Sequence, residues 1–185
     1  MPKKILIVTD DSGESFEILY AQHRFLEAGW QPVIAASQKK LLHGVLHDFE
    51  PGWTTYIEKP GYLIQADLAI SQVKPAQYEA ILLIGGRAPE ALRHHDKLIQ
   101  LVQDFHRKGK WIFAICHGIQ IVLAAGIGRG VKMTCYRNVR LEVEHCGGTW
   151  IDQQSVRDGK LITAQTWESH PEFYRNIFGA LEGTA

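Results

Sequence analysis

The segment KWIFAI, Lys110–Ile115, runs straight into Cys116-His117-Gly118 and then takes up helical spacing through Ala125. A buried strand that feeds a tight turn and then a helix leaves the turn residue at the C-terminal edge of a sheet. There the first free N–H groups of the helix point at it, and the helix dipole favours negative charge. A cysteine so placed is expected to have a lowered thiol pKa and a larger thiolate fraction. The pattern is a nucleophile elbow with Cys in place of Ser, and Ala114 and Gly118 supply small residues two positions either side. The competing reading is a small apolar residue that merely finishes a core strand, since free cysteines are commonly buried and inert.

Three carboxylate or imidazole groups qualify as partners. Glu14 follows the first strand and could hydrogen-bond the cysteine sulfur, a role that suits a desolvated carboxyl of raised pKa. Asp11-x-x-Glu14 also has capping-box spacing, so Glu14 reads equally as part of a helix start. Glu90 follows Pro89 and fits a plain helix start as well. His117 neighbours the cysteine in sequence, an awkward place for a base. It works only if the turn swings the imidazole over the sheet edge and a third group orients it.

The elements that must position these groups alternate along the chain. Ile5–Thr9, Pro32–Ala36, Ala80–Ile84 and Trp111–Ile115 read as short, wholly apolar strands. Ser15–Ala28 has helical spacing, with Phe16, Leu19, Tyr20, His23 and Leu26 on one side, and Leu98–Arg107 is an amphipathic helix stopped by Gly109. Helices between continuous apolar strands predict an α/β fold: a flavodoxin-like three-layer sandwich with a mostly parallel sheet and helices on both faces. In such sheets ligands sit beyond the C-terminal strand ends, where Asp10–Glu14, Gly85–Glu90 and the elbow all emerge. The stretch 41–75, with Pro51-Gly52 and Pro60-Gly61 turn signals, predicts a small inserted hairpin. Asp158-Gly159 predicts a second hairpin between 155–157 and 161–164, and Ser169 with Glu172 predicts a capping box for a last helix ending near Leu181.

With no repeat or linker, the 185 residues are expected to form one domain, 1–185. A formal net charge of +0 gives no basic surface for nucleic acid or anionic lipid. The apolar run Ile5–Val8 is too short for a signal-peptide core or a membrane span. Three cysteines without a paired motif fit a reduced, cytoplasmic protein. No spacing matches a structural zinc site: Gly44 and Pro51 argue against a helix that would hold His43 and His47, and Cys135, His145 and Cys146 are not spaced as ligands. Gly126-x-Gly128-x-Gly130 follows a helix and reads as a turn, not a dinucleotide fingerprint, so no cofactor is expected. Trp53, Tyr56, Trp150 and Trp167 read as packing aromatics.

Taken together, Ala114-Ile115-Cys116-His117-Gly118 and Gly85-Gly86-Arg87-Ala88-Pro89-Glu90 resemble the elbow and the G-G-R-A-P-E loop of the ThiJ/PfpI family, within the class I glutamine amidotransferase-like fold. The stretches 45–62 and 163–173 resemble one branch of it, which includes PfpI-like proteins and the plant tandem-domain glyoxalases. The resemblance implies Cys116 as nucleophile, Glu14 as its protonated partner and His117 as the second catalytic residue. It implies that Glu90 of a neighbouring subunit orients His117, hence a homo-oligomer, and that Gly86, Arg87, Tyr136 and His47 line the substrate pocket. Gly13-Glu14-Ser15 replaces a more acidic motif, and Ile119 stands where many relatives have Pro. Three functions follow as expectations. The first is a glutathione-independent glyoxalase or deglycase-like repair enzyme acting on methylglyoxal-type aldehydes. The second is a cysteine peptidase or amidohydrolase acting on peptides, and the third is a redox sensor.

Overall fold

The computed structural model describes residues 2–183. The chain runs β1 (Lys4–Val8), α1 (Ser15–Glu27), β2 (Gln31–Ala36), β3 (Leu41–Asp48), β4 (Ile57–Gln65) and β5 (Leu68–Ala69). It continues through β6 (Ala80–Leu83), α2 (Ala88–Leu92), α3 (Asp96–Arg107), β7 (Trp111–Ile115), α4 (Ile119–Ala124) and β8 (Lys132–Met133). The last part is α5 (Arg140–His145), β9 (Thr149–Trp150), β10 (Ser155–Asp158), β11 (Leu161–Ala164) and α6 (His170–Glu182).

Seven strands form the central sheet in the order β10-β11-β7-β6-β1-β2-β5, parallel except for the edge strand β10. Of the five inner strands, β6 and β7 are unbroken apolar runs with every residue buried, because both faces of the sheet are covered. The strand order reverses between β1 and β6. With right-handed crossovers, that reversal sends α1 and α3 to opposite faces. α6 joins α1, where Phe25 packs on Phe178 at 5.2 Å, and α4 packs beside α3. The expected α/β sandwich is the observed one. Among the described residues no helix is long and apolar enough to cross a membrane.

Three local expectations are corrected. The buried face of α1 is Ser15, Glu17, Ile18, Ala21 and Phe25, while Phe16 and Leu26 are exposed. The docked face is thus rotated from the aromatic side that simple spacing favours. The 41–75 insertion is a hairpin of β3 and β4, but only Pro51-Gly52 lies at its turn. Pro60-Gly61 lies inside β4, which pairs with β3 alone in a two-stranded sheet, so proline's missing donor is tolerated there. Gly61 is needed because a Cβ would stand 2.2 Å from Ser15 Oγ. Ser169 does not cap α6: its Oγ donates to Gln154 Oε1 at 2.6 Å and accepts from the Thr166 N–H at 3.3 Å. The Asp158-Gly159 hairpin forms as expected, with Asp158 paired to Leu161 and Gly159 at φ +55°.

Candidate active site

β7 delivers Cys116 at its C-terminal end with φ 57°, a left-handed conformation that L-residues adopt only under constraint. Residues 116–118 form a single 3₁₀ turn, and α4 starts at Ile119. Gly118 allows this: a Cβ there would lie 2.3 Å from the Leu83 carbonyl oxygen, so the elbow packs directly on the backbone of β6. Gly85 does the same on the other side, since its Cβ would meet Cys116 Cβ at 2.6 Å and Glu17 Oε2 at 2.8 Å. The loop after β6 is pinned to the loop after β1 by a bridge between Gly86 and Gly13. Three strand ends therefore converge on one sulfur.

The carboxyl beside that sulfur is Glu17, and the assignment of this role to Glu14 is corrected. Glu17 is buried; its Oε2 accepts the Gly85 N–H at 2.7 Å, its Oε1 is otherwise unpartnered, and the carboxyl interacts with the Cys116 thiol. Glu14 is the N-cap of α1, accepting the Glu17 N–H at 2.6 Å, which is the capping role its spacing also allowed. Glu17 was missed because its neighbour already explained the helix start. The available signal was a second acid three residues on, beside the buried Ile18, Ala21 and Phe25.

Burial, then the neighbouring Glu14 charge, pushes the Glu17 carboxyl well above the usual carboxylate range. Burial also raises Glu14, to about 7, against the pull of the Glu17, His47 and Phe16 backbone N–H groups. Both acids are thus biased towards the neutral form. The expectation of a lowered Cys116 pKa is corrected too. Burial, then Glu17, pushes the thiol well up, and the His117 and Gly86 backbone N–H groups that act on Sγ only partly offset it. A protonated Glu17 presents an O–H donor instead of a charge, so proton placement within this pair decides how readily the thiolate forms.

His117 swings over the sheet edge as required, with Nδ1 3.3 Å from Sγ. Burial lowers its pKa to about 4, so it stands as a neutral imidazole able to take a proton. Tyr136 lies 5.3 Å from its ring, and Tyr56 stands edge-on at 5.9 Å. Gly86 contributes its backbone N–H to the sulfur. His47 and Arg87 reach the site indirectly: His47 stacks on Tyr56 at 3.9 Å, and both His47 and Arg87 bind Glu58. Tyr56 is therefore more than the packing aromatic its sequence context suggested. Glu90 is exposed on α2, beside a cleft of about 470 Å³ shared with Asp10, Asp11, Lys40, Arg87 and His95, and within this chain nothing joins it to His117 among the described residues.

This arrangement can add a thiolate to an electrophilic carbon and move protons on either side of it. Among the described residues no group of three His, Cys, Asp or Glu side chains is arranged to hold a metal ion.

Comparison with known proteins agrees with the architecture. Protein DJ-1 homolog D of Arabidopsis thaliana is 34% identical over 186 residues, covering 97% of this chain and 48% of that protein. The chain thus spans about half the length of that relative. The deglycase PfpI of Pyrococcus furiosus is 33% identical over 162 residues, covering 88% of this chain and 89% of that protein. The crystal structure of Drosophila melanogaster DJ-1beta superposes with a TM-score of 0.83 at 21% identity, over 98% of this chain and 91% of that one, which supports the fold alone. The profile of the DJ-1/PfpI family matches residues 3–180, nearly the whole chain. On that match, and on the elbow and loop geometry above, the chain belongs to the DJ-1/PfpI family.

Proposed function

We propose that this protein is a cysteine-dependent, glutathione-independent glyoxalase with deglycase-like repair activity on methylglyoxal-type carbonyl compounds. The observation that carries the reading is the flanking of one thiol by a buried, protonatable Glu17 and a neutral His117 at 3.3 Å. That relatives at about one-third identity bear the name deglycase supports it.

His117 Nδ1 takes the Cys116 proton as Sγ bonds to the aldehyde carbon, and the former carbonyl oxygen is protonated to give a hemithioacetal. The Glu17 O–H is placed to assist that protonation, and the Gly86 and His117 N–H groups favour negative charge at the sulfur. Loss of the proton on that carbon and delivery of a proton to the adjacent ketone carbon oxidises the first and reduces the second, leaving a thioester of a 2-hydroxy acid. Water then cleaves the carbon–sulfur bond, restoring the thiol and releasing the acid. No outside oxidant or reductant is needed.

A peptidase reading is favoured by one observation, the Cys116–His117 contact itself. It requires an acid to orient the imidazole, and the exposed Glu90 could serve only from a second copy of the chain. The deciding experiment follows methylglyoxal consumption and lactate formation without glutathione, for wild type, Cys116→Ala and Glu17→Gln. Lactate from wild type and not from Cys116→Ala supports the proposal. Turnover that survives in Cys116→Ala refutes it.

A further inference from the structure

The reactive thiol is almost closed off: Cys116 is 5% exposed and His117 7%. The tip of the β3–β4 hairpin stands beside them. Tyr56 presents its ring edge-on to His117 at 5.9 Å and lies 5.5 Å from Tyr136, while Thr55 Oγ1 and the Tyr136 hydroxyl share a hydrogen bond at 3.0 Å. Tyr56 also stacks on His47, 3.9 Å between centroids and 16° from parallel. Backbone bonds tie β3 to the loop after β1, through Val45 N–H to Gly13 O and Ser12 N–H to His43 O. Among the described residues β4 has no such backbone tie to the central sheet; its Tyr62 N–H donates to Ser15 Oγ at 3.0 Å, and side chains hold the rest.

Those side chains form a latch. Arg87 of the loop after β6 donates to both Glu58 oxygens, at 2.7 and 2.8 Å, and the remaining contact of Glu58 Oε2 is His47 Nε2 at 2.9 Å. Arg87 also reaches Ser12 Oγ at 3.2 Å. The forked guanidinium–carboxylate geometry is the stronger kind of ion pair. Arg87, with His47, holds the Glu58 carboxyl at about 2, so the latch stays charged across the ordinary pH range. His47 is 3% exposed with Nδ1 buried and unpartnered, an imidazole whose one evident task is to join Glu58 to the Tyr56 ring.

We propose that Tyr56 is the specificity-determining residue of this site: braced on His47 and latched through Glu58 to Arg87, its ring walls the cysteine so that only small carbonyl compounds reach Sγ. Aldehydes bearing hydrogen or methyl beside the reacting carbon pass this wall, and aryl or branched ones do not. The proposal rests on Cys116 being the nucleophile and deepens that reading by naming the size class of its substrate.

The test reads access and turnover separately. Alkylation of Cys116 by iodoacetamide and by pyrenylmaleimide is followed by mass spectrometry in a Cys146→Ser background, since Cys146 is exposed and Cys135 buried. The kcat/KM values for methylglyoxal and phenylglyoxal are measured alongside. Tyr56→Ala is expected to raise the pyrenylmaleimide rate at least about tenfold relative to iodoacetamide, and to shift the phenylglyoxal to methylglyoxal ratio by a similar factor. Tyr56→Phe keeps the ring and should leave both ratios near wild type. Glu58→Gln keeps Tyr56 but releases Arg87, and should move both ratios in the direction of Tyr56→Ala; it decides the matter if Tyr56→Ala does not fold. Ratios unchanged in Glu58→Gln and in folded Tyr56→Ala overturn the wall. A labelling shift in a protein whose wild type turns over neither glyoxal upholds the wall and removes the glyoxalase reading instead.

Discussion

Gly118→Ala tests whether backbone contact between the elbow and β6 sets the position of the sulfur. The added Cβ would lie 2.3 Å from the Leu83 oxygen and 2.9 Å from its carbonyl carbon. Ordinary contact begins near 3.4 Å, so the elbow and Leu83 must separate by about 1 Å. Leu83 is buried in the sheet, paired to Ala114 on one side and Val8 on the other, and is the less mobile partner. The displacement therefore falls on Cys116 and His117. Overpacking of this kind costs about 1–3 kcal/mol, and in a chain of this length each kcal/mol lowers Tm by about 2–4 °C. A misplacement of about 1 Å at the reacting atom lowers turnover by about 100-fold. Differential scanning calorimetry and iodoacetamide labelling of Cys116 read the two effects. The control is Gly126→Ala, where φ is +78° and nothing lies within 4 Å of the new Cβ. It should lose about 1 kcal/mol through backbone strain and leave Cys116 reactivity unchanged. A Gly118→Ala protein with wild-type Tm and wild-type labelling rate would refute the argument.

Glu17→Gln keeps an acceptor for the Gly85 N–H and a donor for the sulfur but cannot release a proton; kcat is expected to fall about 10²–10⁴-fold while circular dichroism stays unchanged. His170 is buried among Phe16, Tyr20 and Tyr174 with both ring nitrogens unpartnered, and burial lowers its pKa from 6.5 to about 4. Its unfolded form binds the proton first, so stability is complete above about pH 6.5 and declines as pH falls towards 4. His170→Phe should therefore gain on wild type by up to about 3 kcal/mol at the acid end, read by urea unfolding at pH 4 and 8. Glu14 has the opposite sign: raised from 4.5 to about 7, it stabilises below about pH 4.5 and loses that contribution as pH rises through 7. Glu14→Gln should gain by a similar amount at pH 8 and by little at pH 4; a gain at the acid end instead would contradict the burial argument.

The sheet was legible because both of its faces are covered. Runs such as Ala80–Leu83 and Trp111–Ile115 leave no polar face to read any other way, and right-handed crossovers on either side of the strand-order reversal put helices on both faces. The elbow was legible for a related reason, since a five-residue apolar strand followed at once by Cys-His-Gly and a helix has few geometries open to it. Its glycine at 118 is dictated by a contact of one backbone with another.

What escaped sequence reading depends on how elements dock. Whether Glu14 or Glu17 meets the sulfur turns on the rotation of α1 about its own axis, which the packing of Ile18, Ala21 and Phe25 on the sheet decides. Ser169 has the right spacing for a cap, yet a partner 15 residues away takes its hydroxyl. Tyr56 looks like any surface-hairpin aromatic until Glu58, His47 and Arg87, from β4, β3 and the loop after β6, meet beneath it. The direction of the thiol pKa was misread for the same reason. Local sequence supplies the elbow N–H groups that lower it, but burial under a distant hairpin and beside a distant carboxyl raises it further. Sequence alone determined the strands, the turn and the cysteine placed at it, because those follow from periodicity and local backbone sterics. Tertiary structure decided which acid, which aromatic wall and which protonation state surround the sulfur, because desolvation and side-chain contact are set by residues far apart in the chain.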